Sequence, residues 1–199
     1  MKLLKQQQLD NDQIYTLDYE FDKNRLMDMF HELEPTNIYW PWHINEPSPW
    51  SKRGWSVRTV KAVFDGRAPR DSIHRYAYEI LQHFGMGMVS FGFFHTKEHF
   101  EYPVHTDQGG RLKDNGPLAS INVNLLDNPV PIKFTKELQD EPYSKSDDDH
   151  SYLYDSALIN TSWPHYITTD NNERIVFRMA IFKPFDFYFA KDRIKSLGY

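Results

Sequence analysis

The first third of the chain alternates between strand-like and helix-like hydrophobic patterns. Apolar side chains at every second position over residues 15–21 predict a half-buried strand. Asp22 is placed to cap a helix over residues 23–34, whose apolar side chains recur at helical spacing. A second strand over residues 55–64 and a second helix over residues 72–84 follow by the same criteria. Two helices and two strands are therefore expected before the strand-rich part begins.

The segment between the first helix and the second strand has a different character. Residues 39–55 are rich in Trp and Pro, and a regular helix cannot accommodate that much proline. We expect an irregular segment here, which either packs its aromatic side chains on the flank of a sheet or covers a pocket.

Residues 86–183 are strand-like almost throughout. Short apolar or alternating runs are separated by turn residues, and about eight strands are expected, which is the strand count of a double-sheet jelly roll. We therefore predict a single α+β domain over residues 1–199. Residues 1–85 form its helical and strand support, with the N-terminal helices packed on one sheet. Residues 86–183 form a double-stranded β-helix, a jelly-roll or cupin-like core, and residues 184–199 form a C-terminal helix.

Composition narrows the possible functions. The 199 residues are 40% hydrophobic and 16% aromatic, so a substantial core is available. The net charge of −5 and the lack of a dense basic run argue against a nucleic-acid duplex as partner, while the aromatics leave single strands open. The absence of Cys excludes disulfides, zinc–thiolate sites and thiol nucleophiles. A polar start and no apolar run of the roughly 18 residues that a membrane span needs predict a soluble, cytoplasmic protein.

A candidate metal site is centred on His105-Thr106-Asp107. In an extended segment, residues two apart point to the same face, so the imidazole and the carboxylate converge. Together with His165, on a later predicted strand, they would complete a set of two histidines and one carboxylate that holds non-haem Fe(II) and leaves positions open. Taken alone, the triplet is equally consistent with a surface pair before a turn.

Two arginines on the last predicted strand share one face. Arg174 stands nine residues after His165, and Arg178 follows four residues later. A cation that points into the interior needs an anionic partner, and a guanidinium matches a carboxylate through two parallel hydrogen bonds. The alternative is an ordinary surface arginine that pairs with Glu173 or Asp170.

The order His-x-Asp, a second His, and an Arg entering the final strand resembles the iron(II)- and 2-oxoglutarate-dependent dioxygenases. The resemblance covers roughly residues 86–182 and is nearest to compact members of the prolyl-hydroxylase-like and aspartyl-hydroxylase-like kind. It implies that His105, Asp107 and His165 bind Fe(II). It also implies that Arg174 binds the distal carboxylate of 2-oxoglutarate, with Arg178 as the reserve candidate.

The strand after His-x-Asp carries Ser120, Asn122 and Asn124 on one face. Members of the family often have a polar or basic residue there, commonly Arg, His or Tyr. The resemblance thus suggests Asn122 and Asn124 as contacts to the cosubstrate or to the metal ligands, although both could simply line the barrel. Because this chain has Asn where those members have Arg, His or Tyr, the resemblance does not predict the remaining contacts of the cosubstrate.

The resemblance implies a reaction in which O₂ hydroxylates an unactivated C–H bond while 2-oxoglutarate becomes succinate and CO₂. Related halogenases have Gly or Ala where this chain has Asp107, so hydroxylation is expected. The substrate would be a protein side chain, an amino acid or another small metabolite, and the oligomeric state is not predicted. Two alternatives are a non-catalytic cupin-like metal-binding module and a cupin dioxygenase that does not use 2-oxoglutarate.

Overall fold

The fold is described from a computed structural model. It describes residues 8–33, 55–60, 72–86, 89–108, 116–140 and 142–199. The Trp- and Pro-rich segment lies outside the described residues up to position 54, as does any helix cap at Asp71.

The described residues contain ten strands and three helices. In chain order they are β1 (Ile14–Thr16), α1 (Lys23–Glu32), β2 (Trp55–Val60), α2 (Ser72–Phe84), β3 (Val89–Thr96), β4 (Phe100–Glu101), β5 (Ala119–Asn124), β6 (Ile132–Phe134), β7 (His150–Tyr152), β8 (Ser156–Ile159), β9 (His165–Thr169), β10 (Arg174–Ile181) and α3 (Phe187–Ser196). None of the helices in the described ranges is long and apolar enough to cross a membrane.

The strands form two antiparallel sheets. One has six strands in the order β1-β8-β5-β10-β3-β2, and the other has four in the order β4-β9-β6-β7. From β3 onward, eight strands pass between the two sheets, with β6 and β7 paired as neighbours. This order fits a double-sheet jelly roll, so the predicted strand count and antiparallel architecture are confirmed within the described residues.

Strand β10 lies in the middle of the six-stranded sheet, between β3 and β5, and its two faces differ. Ile175, Phe177 and Met179 belong to a buried apolar cluster that also contains side chains from all three helices. The Phe30 ring of α1, for example, lies 5.8 Å from the Phe93 ring, centroid to centroid. Residues of β10 that alternate with these three face the opposite way, toward the four-stranded sheet.

Individual elements match the sequence pattern with local differences. Asp22 caps α1 as predicted, because its Oδ1 accepts a hydrogen bond from the Arg25 amide at 3.0 Å. The strand expected over residues 15–21 is shorter, because the paired segment spans Ile14–Thr16, and beyond it the Leu17 amide makes one further hydrogen bond to the Ser156 carbonyl at 3.1 Å. The two-residue strand β4 has no signal in the hydrophobic pattern because it is too short to show a period.

Candidate metal centre

Two neighbouring backbone segments bring His105 and His165 together. His165 is the first residue of β9, and His105 follows β4, which pairs with β9. The His105 amide donates to the His165 carbonyl at 3.0 Å, and the His165 amide donates to the His105 carbonyl at 2.8 Å. Residues directly opposite in an antiparallel pair project to the same face, and the two imidazole centroids lie 4.6 Å apart.

Asp107 completes the cluster. Its backbone amide donates to the Thr161 carbonyl at 3.0 Å, which anchors the carboxylate beside the turn that precedes β9. Asp107 Oδ1 lies 3.7 Å from Nε2 of His105. One atom from each of His105, Asp107 and His165 lies within 4.8 Å of the other two, so the three residues could hold one metal ion.

The backbone sets the tautomer of both histidines. Nδ1 of His105 lies 2.9 Å from the Pro103 carbonyl, and Nδ1 of His165 lies 2.8 Å from the Trp163 carbonyl. A carbonyl oxygen can only accept, so each Nδ1 carries the proton and donates it. The lone pair of a neutral imidazole is then on Nε2, which is free of a proton and can bind a metal ion.

Burial and nearby charge keep these groups in their metal-binding protonation states. Burial lowers the pKa of His165 to about 4, and the neighbouring His105 adds to the effect. Burial likewise lowers the pKa of His105. Burial, the largest single effect, would raise the pKa of Asp107, but the charge and hydrogen bond of Arg178 and the two neighbouring histidines together outweigh it, so this pKa lies below its ordinary value. At neutral pH the cluster therefore presents two neutral imidazoles and one carboxylate.

The unsatisfied atoms of the cluster indicate what it lacks. Asp107 Oδ1 is buried and makes no hydrogen bond with any described residue. The lone pairs on the two Nε2 atoms are two further acceptors, and the cluster itself offers no proton to either of them. A cation satisfies all three at once, and two imidazoles with one carboxylate suit Fe(II), with the remaining coordination positions open. The residues present therefore fit the metal that the resemblance implies.

Arg174 is buried, with 6% of its surface exposed. Its Nη2 donates to the Tyr154 hydroxyl at 3.2 Å, while Glu173 lies 3.0 Å from Nε2 of His95. The pairing of a surface Arg174 with Glu173, which the sequence left open, is therefore not what the fold produces. The guanidinium instead lines the same cavity as the metal-binding cluster.

Arg178 reaches the metal-binding cluster itself. Its Nη2 donates to Asp107 Oδ2, in an ion pair whose side chains are 8% and 2% exposed. Sequence periodicity places Arg174 and Arg178 on one face but does not indicate that they bond to different partners.

The two asparagines occupy different positions. Asn122 lines the cavity beside Arg178, and its Oδ1 is buried without a hydrogen-bond partner among the described residues. Asn124 directs its Nδ2 to the Tyr154 carbonyl at 2.7 Å and lies outside the set of residues that line the cavity. Tyr154, which bonds to Arg174 and Asn124, follows a short strand and carries no sequence signal for this role.

Gly116 is a further residue on which the cluster depends. A Cβ at this position would lie 2.1 Å from the Asp107 carbonyl oxygen, closer than any two such atoms can approach. Only the two ends of the glycine-rich stretch that follows the His-x-Asp triplet are described. Gly116, at its second end, lies against the backbone of Asp107.

Comparison with known proteins yields matches by structure alone. No family model matches the sequence, and no curated protein matches it. A prolyl hydroxylase from Trichoplax adhaerens, solved in complex with a hypoxia inducible factor oxygen degradation domain peptide fragment, superimposes with a TM-score of 0.54 at 12% identity. The match covers 94% of this chain and 86% of that one. A Pseudomonas putida prolyl-4-hydroxylase superimposes with a TM-score of 0.52 at 12% identity, covering 85% of this chain and 91% of that one.

At such low identity these matches concern the fold. The cluster of His105, Asp107 and His165 is observed in this chain itself and does not depend on the superposition. The resemblance to the iron(II)- and 2-oxoglutarate-dependent dioxygenases is thus confirmed in the fold, and a His-Asp-His cluster of the kind that it requires is present.

Proposed function

We propose that this protein is an iron(II)- and 2-oxoglutarate-dependent dioxygenase that hydroxylates an unactivated C–H bond. The observation that carries the proposal is the cluster of His105, Asp107 and His165, with two Nε2 lone pairs and an unsatisfied carboxylate oxygen, in one cavity with Arg174. The fold likeness to two prolyl hydroxylases supports it, and we take the two sheets to form the double-stranded β-helix of this class.

His105, Asp107 and His165 would hold Fe(II), and Arg174 would bind the distal carboxylate of 2-oxoglutarate. The cation is buried, and among the described residues its guanidinium donates to the neutral Tyr154 hydroxyl, which does not compensate its charge. A dicarboxylate supplies that compensation, and Tyr154 keeps the guanidinium oriented. Asn122 lies where its amide would contact the cosubstrate, whereas Asn124 would act through Tyr154.

Bound Fe(II) supplies the redox chemistry that couples oxidation of 2-oxoglutarate to hydroxylation. The balance is substrate C–H, O₂ and 2-oxoglutarate giving substrate C–OH, succinate and CO₂. The protein would contribute orientation. The apolar part of the cavity lining, formed by Phe94, Tyr102, Ile132 and Ile167, would limit the access of water to the reacting groups.

The substrate is proposed as a protein side chain, an amino acid or a small metabolite. A peptide is supported by the structural neighbour that was solved with a peptide bound. His105 is the ligand whose side chain is most exposed, at 29%, so the substrate would approach the metal from its side.

The proposal is tested by adding Fe(II) and 2-oxoglutarate to the protein without oxygen. We expect a visible metal-to-cosubstrate absorption band, and succinate release when oxygen and a substrate from a panel of amino acids and peptides are supplied. A folded protein that binds Fe(II) but gives neither the band nor succinate would contradict the proposal and favour a non-catalytic metal-binding module.

Arg174→Gln distinguishes the use of 2-oxoglutarate from a dioxygenase that does not need it. We expect the concentration of 2-oxoglutarate for half-maximal activity to rise about 10- to 100-fold, because a charge-assisted contact of about 1.5–3 kcal/mol is lost. Arg75→Gln is the matched control, since Arg75 is 68% exposed on α2. Full activity of Arg174→Gln without added 2-oxoglutarate would show that the cosubstrate is not used.

A further inference from the structure

The two oxygens of the Asp107 carboxylate have different surroundings. Oδ2 accepts a hydrogen bond from Nη2 of Arg178, and Oδ1 is buried without a hydrogen-bond partner. Oδ1 is also the oxygen that lies 3.7 Å from Nε2 of His105. A charge-assisted hydrogen bond between two buried groups is among the strongest that a protein makes. Arg178 therefore holds Oδ2 and leaves Oδ1 as the oxygen without a hydrogen bond among the described residues.

The fold holds Arg178 in place for this contact. Its strand, β10, is central in the six-stranded sheet, where Arg178 pairs with Gly92 on one side and Asn122 on the other. Gly92 has no side chain to occupy the inner face beside it. The guanidinium also lies 5.1 Å from the centroid of the Phe94 ring, a distance at which the cation is attracted to the ring face.

We propose that Arg178 is a positioning residue that restricts Asp107 to a single metal-binding oxygen, Oδ1. This inference rests on the metal site of the proposed function. A carboxylate that binds through both oxygens occupies two coordination positions, and one that binds through a single oxygen occupies one. By occupying Oδ2, Arg178 keeps an additional position open on a metal that must accept a chelating cosubstrate as well as O₂.

The inference separates the tasks of the two arginines on β10. Arg174 bonds to Tyr154, whereas Arg178 bonds to Asp107 directly. Arg178 would therefore act on the metal site before any cosubstrate arrives. Arg174 would act only once a carboxylate is present.

The test counts the water molecules on bound Mn²⁺ by water-proton relaxation, with no 2-oxoglutarate present. The wild-type protein is expected to retain about three waters, since three protein ligands fill half of an octahedron. Arg178→Met removes the hydrogen bond to Oδ2 at similar side-chain length. We expect this variant to lose about one water as both carboxylate oxygens reach the metal.

Two companion variants make the result specific. Arg178→Lys keeps a charged donor at the position and is expected to retain the wild-type water number. Arg174→Met removes the other arginine from the same face of the same strand and is also expected to retain it. Far-ultraviolet circular dichroism confirms that each variant is folded.

Each result bears on one claim. An Arg178→Met variant that binds Mn²⁺ with the wild-type water number would overturn the role of Arg178 and leave the metal site intact. A wild-type water number of about two would overturn it without any variant, because both Asp107 oxygens would already bind. A wild-type protein that binds no Mn²⁺ would instead overturn the metal site of the proposed function.

Discussion

Along β10, both faces of the six-stranded sheet are buried, and the two faces are chemically opposite. On β10, Ile175 and Arg174 are each 6% exposed, yet one belongs to the apolar cluster with the helices and the other lines the cavity. Burial therefore does not distinguish the face that stabilises the fold from the face that carries the candidate chemistry. On β10, the side chains of the apolar face have no polar atoms to satisfy, whereas Arg174 and Arg178 on the cavity face do.

Several buried polar atoms give the cavity face an energetic cost. Oxygen atoms of Thr96, Ser120, Asn122 and Asn124 are buried without a hydrogen-bond partner among the described residues. A buried polar atom without a partner costs about 1–3 kcal/mol, unless water or a ligand satisfies it. The free energy gained by burial on the apolar face must offset this cost. Changes on the two faces should therefore affect different measurements.

The largest effect is expected from a change on the apolar face. Phe177→Ala removes a fully buried ring that lies 5.8 Å from Phe91 and 5.3 Å from Phe93, centroid to centroid. The free energy of unfolding in urea should fall by about 3–5 kcal/mol, from lost burial and the remaining cavity. The Mn²⁺ affinity of the folded fraction should be unchanged. A parallel loss of Mn²⁺ affinity would show that the two faces are not independent.

A smaller effect is expected on the cavity face when the pH is lowered without metal. The pKa of His165 is lowered to about 4 by burial, against about 6.5 in the unfolded chain. Between these values the unfolded chain binds more protons than the native protein, so the free energy of unfolding decreases as the pH falls from about 6.5 to about 4. The decrease should approach about 3 kcal/mol.

His165→Gln provides the control for this pH dependence, because glutamine has no proton to bind in this range. Urea unfolding at several pH values should give a flatter profile for the variant across the same window. An unchanged slope in His165→Gln would assign the pH dependence to another group.

The smallest effect is expected where Gly116 lies against the backbone of Asp107. Gly116→Ala would place a Cβ 2.1 Å from the Asp107 carbonyl oxygen, so the backbone at Asp107 must move. We expect Mn²⁺ affinity to fall about 10-fold, comparable to the loss of an interaction that orients a metal ligand. Gly198→Ala adds the same methyl group in open space at the end of α3, and there the affinity should not change. Equal affinities for Gly116→Ala and the wild type would mean that the backbone adapts without moving the carboxylate.

Much of this arrangement was predictable from periodicity and residue order. Alternation identifies Ile175, Phe177 and Met179 as one face of the last strand and Arg174 and Arg178 as the other. The His-x-Asp triplet and the distal His were predicted to complete one set of metal ligands, and the backbone pair of His105 and His165 brings the two histidines side by side.

The contacts across the cavity were not predictable in this way. Periodicity gives the direction of a side chain but not its reach, so it could not show that Arg178 bonds to Asp107 while Arg174 bonds to Tyr154. The approach of Gly116 to Asp107 depends on how the chain closes after a stretch that has no periodic pattern. The assignment of all these residues to metal and cosubstrate remains a prediction that the experiments above address.

The short strand β4 has a consequence for how metal would be retained. β4 has only two residues and lies at the edge of its sheet, and the mutual hydrogen bonds of His105 and His165 extend its pairing with β9. A metal bound by both side chains cross-links the two segments, so local opening of this edge and release of the metal become one event. Amide hydrogen exchange at His105 should therefore slow in proportion to metal occupancy, while exchange in the centre of β10 follows global unfolding. The edge of the smaller sheet thus reports the occupancy of the site through its backbone.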